Sequence, residues 1–171
     1  MTETVFLVRH GAYRIGAGLS AEGIEDATRA KDQLLAKNLG GNAMVLSSTA
    51  PRAIETAEII ADGLMAGIVP SLRIKEGGNG PQAIQDLDAW IGLAFDEAKL
   101  STPDDKRLVI VTHAPMVAIA KGLHATDTSS VGYGEVYEYT PGSWSNPDYD
   151  KDIEGMIEAT IARANSPTRS T

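Results

Sequence analysis

The sequence predicts a three-layer α/β/α sandwich around a mostly parallel central sheet. Short apolar runs of strand character alternate along the chain with segments in which apolar residues recur at helical spacing. Three of the runs end in polar or cationic residues, Arg9-His10-Gly11, Ser47-Ser48 and Thr112-His113. Those ends are where open α/β sheets hold their ligands. The chain has 171 residues, and at roughly 100–200 residues per domain a single domain over 1–165 is expected, followed by a polar tail at 166–171.

Val5 to Val8 is a continuous apolar run that reads as a strand over 4–9, buried on both faces. Gly11 to Leu19 carries three glycines and no period, and reads as irregular. Ser20 then caps a helix over about 21–37, with Ile24, Ala27, Leu34 and Leu35 as its apolar face. Gly40 and Gly41 end it, and Ala43 to Leu46 forms a second buried strand. Ser48 or Thr49 caps a helix with Pro51 in its first turn and Ala53, Ala57, Ile60 and Leu64 toward the core.

Pro70 to Ile74 reads as a third strand, and Gly77-Gly78-Asn79-Gly80-Pro81 as a loop. Ile84, Leu87, Ala94 and Ala98, with Trp90 and Ile91 beside them, keep helical spacing over 82–100. Pro103 ends that segment before a strand at Leu108 to Val111 and a short helix at Pro115 to Leu123. Val136, Tyr137 and Tyr139 suggest a last strand, and Ile153, Met156, Ile157 and Ile161 a last helix.

Composition narrows the function classes. Fifteen Lys and Arg against 23 Asp and Glu give a net charge of −8 and a pI near 4.8, so no nucleic-acid partner is expected. The absence of cysteine excludes disulfides, thiolate catalysis and cysteine-held zinc. The N-terminus has no basic segment ahead of its short apolar run, and the longest apolar stretch, Leu108 to Ala120, is broken by Thr112, His113 and Pro115. It falls short of the roughly 20 residues that span a bilayer. A cytoplasmic protein without a membrane partner is the expectation, with the oligomeric state left open.

Arg9 and His10 directly follow the first strand, so both side chains should emerge where the sheet meets solvent, with Gly11 letting the chain turn behind them. A neutral imidazole nitrogen can attack a phosphoryl phosphorus, and a guanidinium fork binds phosphate oxygens in pairs. Arg52 falls in the first helical turn after the second strand, and His113 ends the fourth strand just ahead of a proline-started helix. Four cationic or donor side chains thus converge on one sheet edge and point to an oxyanion site. Gly77, Gly78 and Gly80 are not followed by the Lys-Ser/Thr of a phosphate-cradling loop. His124, at a helix end, has a structural explanation.

Val8-Arg9-His10-Gly11, Leu19-Ser20-Ala21-Glu22-Gly23, Ser47 through Ala53 with Thr56-Ala57, and Val111-Thr112-His113 resemble the histidine phosphatase superfamily, also called phosphoglycerate mutase-like proteins. The resemblance runs in order over residues 4–123. It implies a metal-independent, cofactor-free phosphatase in which His10 is transiently phosphorylated and Arg9, Arg52 and His113 hold the phosphate. The substrate would be a phosphorylated small molecule or a phosphoprotein.

By the same resemblance the leaving-group acid follows the third strand, where this chain offers Glu76, with Asp86 and Asp88 as alternatives. Ala12 stands where many relatives are polar, and Tyr13-Arg14 replace a polar pair, so Arg14 is a candidate extension of the anion site. Only 61 positions separate Arg52 from His113 (113 − 52), without the long insertions of the mutases. That compact build resembles the short phosphohistidine phosphatases, which lack the acid. A mutase and a catalytically weak phosphate-binding module remain the alternatives.

Overall fold

The first strand, β1 (Val5–Arg9), leads through a two-stranded hairpin, β2 (Tyr13–Arg14) and β3 (Gly18–Leu19), into α1 (Ala21–Ala36). Then come β4 (Ala43–Ser48), α2 (Pro51–Leu64), β5 (Gly67–Ser71), a 3-10 turn at Leu72–Ile74, and α3 (Leu87–Lys99). The last described elements are β6 (Arg107–Thr112), α4 (Ala114–Ala120), a second 3-10 turn at Thr128–Ser130, and β7 (Val136–Tyr139). This computed structural model describes residues 4–74, 87–99, 106–124, 126–143, 160–162 and 164. Most of the expected last helix therefore lies outside the described residues, as do Glu76, Asp86, Trp144, Tyr149 and the 166–171 tail. Among the described residues no helix is long and apolar enough to cross a membrane.

Among the described residues five strands form one sheet in the order β5-β4-β6-β1-β7. The first four run parallel, and β7 closes the β1 edge in the antiparallel sense. Strand residues alternate between two cores because strand side chains point to opposite faces in turn. Val5, Leu7, Met44, Leu46, Leu108 and Ile110 pack on one face with α3 and α4. Phe6, Val8, Ala43, Val45, Val109 and Val111 pack on the other with α1 and α2. The sheet is therefore the middle layer of a three-layer sandwich.

Local details depart from the sequence expectation. The third strand begins three residues earlier than Pro70, and 72–74 is a 3-10 turn. Pro70 sits inside an edge strand opposite Ser47, where its missing N–H breaks no ladder bond on the outer side. Residues 13–19 form the small hairpin instead of an irregular segment, with Gly16 and Gly18 at positive φ. On α1, Ile24 and Leu35 are 52% and 40% exposed, and the buried stripe is Gly23, Ala27, Ala30 and Leu34. Gly23 is required in that stripe because the backbone of Ala12 lies against it. The N-cap of α2 is Ala50, which makes no side-chain capping bond.

Candidate active site

The carboxyl ends of β4, β6 and β1 are neighbours, because Ser47 pairs with Val111 and Thr112 with Arg9. The chain leaves β1 still bonded to β6, His10 N donating to Thr112 O at 3.0 Å. Register alone thus brings the residues after three strands to one place. Arg9, His10, Arg52 and His113 meet there.

His10 is only 3% exposed and His113 only 1%, so both rings are buried, and His10 does not emerge into solvent as its place after the strand suggested. Their centroids are 5.1 Å apart, in an edge-on arrangement. His10 Nδ1 lies 2.8 Å from Gly11 O. A carbonyl only accepts, so Nδ1 carries the proton and Nε2 presents a lone pair. Arg52 Nε donates to that lone pair at 3.2 Å. Burial lowers the His10 imidazole to about 3, against the raising effect of the Gly11 hydrogen bond, and the charges of His113, Arg52 and Arg9 lower it further. Burial, then Arg52 and Arg9, lowers His113 to about 4. Both rings are neutral at pH 7.

Arg52 stands at the second position of α2, close above the strand ends. Besides its bond to His10 it lies over the Tyr13 ring, with Cζ 4.5 Å from the centroid. Its Nη2 is 3.5 Å from His113 Nδ1. Arg9 Nη1 donates to Val131 O, and its Cζ lies 3.9 Å from the Tyr133 ring centroid. Arg9 Nε is buried without a hydrogen-bond partner. Each guanidinium is therefore stacked on a tyrosine, and both tyrosines flank His10, at 5.3 Å for Tyr13 and 6.1 Å for Tyr133.

The loop after His10 is held from two helices. Gly11 N donates to Thr56 Oγ1 at 3.0 Å, and the same hydroxyl donates to Arg52 O at 2.8 Å, so Thr56 ties the nucleophile loop to the helix bearing Arg52. Ala12 N donates to Asp26 Oδ2, and Arg29 bridges Asp26 to Tyr133 O. Gly11 has no positive φ, so a sharp turn is not its reason. A Cβ there would stand 2.4 Å from Gly23 O, and the glycine is required by this backbone approach.

Arg14 is placed on the exposed hairpin. It lines an open groove of about 550 Å³ together with Tyr13, Ile15, Pro51, Arg52 and Glu55. The groove joins it to Arg52, outside the buried cluster of the two histidines. Asp88 is far from the site. It accepts from Tyr139 Oη and Gly142 N, and Tyr139 pairs with Val5 at the opposite end of β1 from His10. Glu55 accepts from Leu19 N at 2.6 Å and anchors the hairpin. Among the described residues no group of three or more His, Asp or Glu is arranged to hold a metal ion.

The sequence reading passed over two features of the site. Tyr133 stacks on Arg9, 124 positions away, and no local pattern marks it. Ser48 was read as a helix cap, but its Oγ lies 2.8 Å from His113 Nε2. The available signal for Ser48 was its place at a strand end beside Thr112-His113.

Residues 5–88 match the family model of the histidine phosphatase superfamily (branch 1). No curated protein sequence matches the chain. Solved structures of similar fold include a mycobacterial glucosyl-3-phosphoglycerate phosphatase, 17% identical with a TM-score of 0.54 over 80% of this chain and 90% of that one. A protein described as mycobacterial hydrolase 1 is 17% identical, with a TM-score of 0.56 over 86% and 97%. SixA of Agrobacterium tumefaciens, assigned as a phosphohistidine phosphatase, is 18% identical, with a TM-score of 0.55 over 81% and 91%. At these identities the likeness establishes the fold. The family match over residues 5–88 covers the segment that carries Arg9, His10 and Arg52, and there the chain is similar to the histidine phosphatase superfamily.

Proposed function

We propose that this chain is a metal-independent phosphatase that hydrolyses a phosphomonoester or a phosphorylated protein through a phosphohistidine on His10. The observation that carries the reading is the fixed His10 ring, whose Nδ1–H is held by Gly11 O and whose Nε2 lone pair faces Arg52. A neutral imidazole so oriented is a nucleophile at physiological pH. Solved proteins of this fold include a glucosyl-3-phosphoglycerate phosphatase and a protein assigned as a phosphohistidine phosphatase, which supports the reaction class.

In the first step, His10 Nε2 attacks phosphorus as the bond to the leaving oxygen or nitrogen breaks, and that atom takes up a proton. The Gly11 carbonyl stabilises the positive charge that develops on the ring through the Nδ1–H bond. Arg9, Arg52 and His113 hold the phosphoryl oxygens, and the guanidinium forks take the charge that spreads over them. In the second step, water attacks the phosphorus of phosphohistidine, releasing inorganic phosphate and restoring the lone pair on Nε2. Arg14 and the groove beside Arg52 receive the part of the substrate beyond the phosphate.

Rapid quenching of the enzyme with phosphate-labelled substrate tests this. Acid-labile, base-stable label is expected on the peptide containing His10. Label on His113 with none on His10 would overturn the assignment.

A further inference from the structure

Ser48 is fully buried at the end of β4. Its Oγ lies 2.8 Å from His113 Nε2 and accepts the Ala50 N–H at 3.3 Å. On the other side of the same ring, Nδ1 faces Arg52 Nη2 at 3.5 Å. A guanidinium has only donors, so the ring nitrogen turned toward it presents a lone pair. The ring is neutral, and its one proton is therefore on Nε2, where a lone pair of Ser48 Oγ accepts it. We infer that Ser48 is a positioning residue that fixes the tautomer of His113, so that Nδ1 meets the anion pocket as an acceptor. This rests on the reading above, in which His113 lines the phosphate site.

The two histidines are then held in opposite tautomers around one cation. His10 carries its proton on Nδ1 and its lone pair on Nε2, whereas His113 carries them the other way round. Both lone pairs point at Arg52. An entering phosphoryl group draws the guanidinium N–H groups onto its oxygens, leaving His10 Nε2 free to attack. His113 Nδ1, turned toward the pocket as an acceptor, then takes the hydrogen of a P–OH, so a phosphate monoanion is held there by a hydrogen bond. Without the Ser48 hydroxyl the proton can move to Nδ1. An N–H would then oppose the Arg52 guanidinium, and the cation would lose its contact with this ring.

The tautomers are read directly by long-range ¹H–¹⁵N correlation on histidine-labelled protein near pH 7, with amide spectra reporting folding. In the wild type His113 should show a protonated Nε2 and a bare Nδ1, and His10 the reverse. Ser48→Thr retains the hydroxyl and should keep this pattern. Ser48→Val has the shape of Thr without the hydroxyl, and Ser48→Ala removes the hydroxyl without adding bulk. Both should shift His113 toward Nδ1–H and lower kcat/KM by roughly 10-fold, about the worth of one hydrogen bond. A protonated Nδ1 on His113 in the wild type overturns the inference, as does an unchanged tautomer in the Ala and Val variants. A changed tautomer with unchanged kcat/KM also removes the positioning role. Failure to find phosphohistidine on His10 in wild-type enzyme would instead overturn the underlying reading, with the tautomers untouched.

Discussion

Arg52 Nε donates to His10 Nε2 at 3.2 Å, so in the ligand-free protein the arginine occupies the lone pair that the proposed chemistry needs. The guanidinium must move its N–H groups from the imidazole to the phosphoryl oxygens before attack. Ligand binding and exposure of the nucleophile are thereby the same event, and free His10 stays covered when no oxyanion is present.

The first prediction follows from that double duty. Arg52→Ala should lower kcat/KM by roughly 10²–10³-fold, the range for removing a donor to developing charge. Arg52→Lys should recover little, because a single ammonium cannot reach His10 Nε2, approach His113 Nδ1 and lie over the Tyr13 ring together. Steady-state kinetics with thermal melts as a folding control decide the matter. Wild-type kinetics in the Lys variant would rule out the fork.

The second prediction concerns acid. With His10 lowered to about 3 and His113 to about 4, neither ring should titrate between pH 8 and pH 5 in the ligand-free protein. Their ring resonances should move only nearer pH 3–4. Because the folded values lie below the unfolded histidine value of about 6.5, the unfolded chain binds protons that the folded one refuses. Both groups therefore contribute stability above about pH 6.5 that is lost progressively as pH falls through 6.5 toward the folded values. Ring titration centred near 6.5, or acid unfolding unchanged in a His113→Gln variant, would contradict this.

Much of the framework was legible in the sequence because it depends on buried periodicity. The runs Val5–Val8 and Leu108–Val111 have no polar interruption, and the register between them carries Arg9, His10 and His113 to one edge. Other features depend on contacts between distant segments and leave no local period. The β2–β3 hairpin has two residues per strand and is held by Glu55, 36 positions beyond Leu19. Ser48 looks like a helix cap from its neighbours alone, but His113 lies 65 positions away and engages its hydroxyl. The capping position accordingly falls to Ala50. Ile24 and Leu35 fit helical spacing, yet they are exposed, and the buried stripe beside them begins at Gly23, where the Ala12 backbone leaves no room for a side chain.

The third prediction contrasts two glycines. A Cβ at Gly11 meets the Gly23 carbonyl oxygen at 2.4 Å, backbone against backbone. Gly11→Ala should therefore displace the loop that carries His10, costing about 1–3 kcal/mol of stability together with most of the activity. At Gly92, exposed on α3, a Cβ meets nothing within 4 Å. Gly92→Ala should stabilise by about 0.5–1 kcal/mol with unchanged kinetics. Denaturant unfolding of the two variants reads both signs, and a neutral Gly11→Ala would show that the loop can yield.

The last prediction addresses the leaving-group proton. Asp88 is committed to Tyr139 and Gly142 at the far end of the sheet, and Glu55 and Asp26 to backbone N–H groups. Glu76 remains the carboxylate that the sequence places after the third strand, outside the described residues. An acid matters most when the departing oxygen is strongly basic. Glu76→Gln should therefore slow an alkyl phosphate by roughly 10²–10⁴-fold, the usual worth of general acid catalysis. An aryl phosphate leaves with little need of a proton and should lose far less. Equal losses on both substrates would assign Glu76 to positioning, because a displaced pocket penalises every leaving group alike. No loss on either would mean that the chain works without this acid and is suited to a group such as phosphohistidine, which departs easily once its imidazole is protonated. The ratio of the two rate losses separates these outcomes because it cancels any general effect of the substitution on folding or phosphate binding.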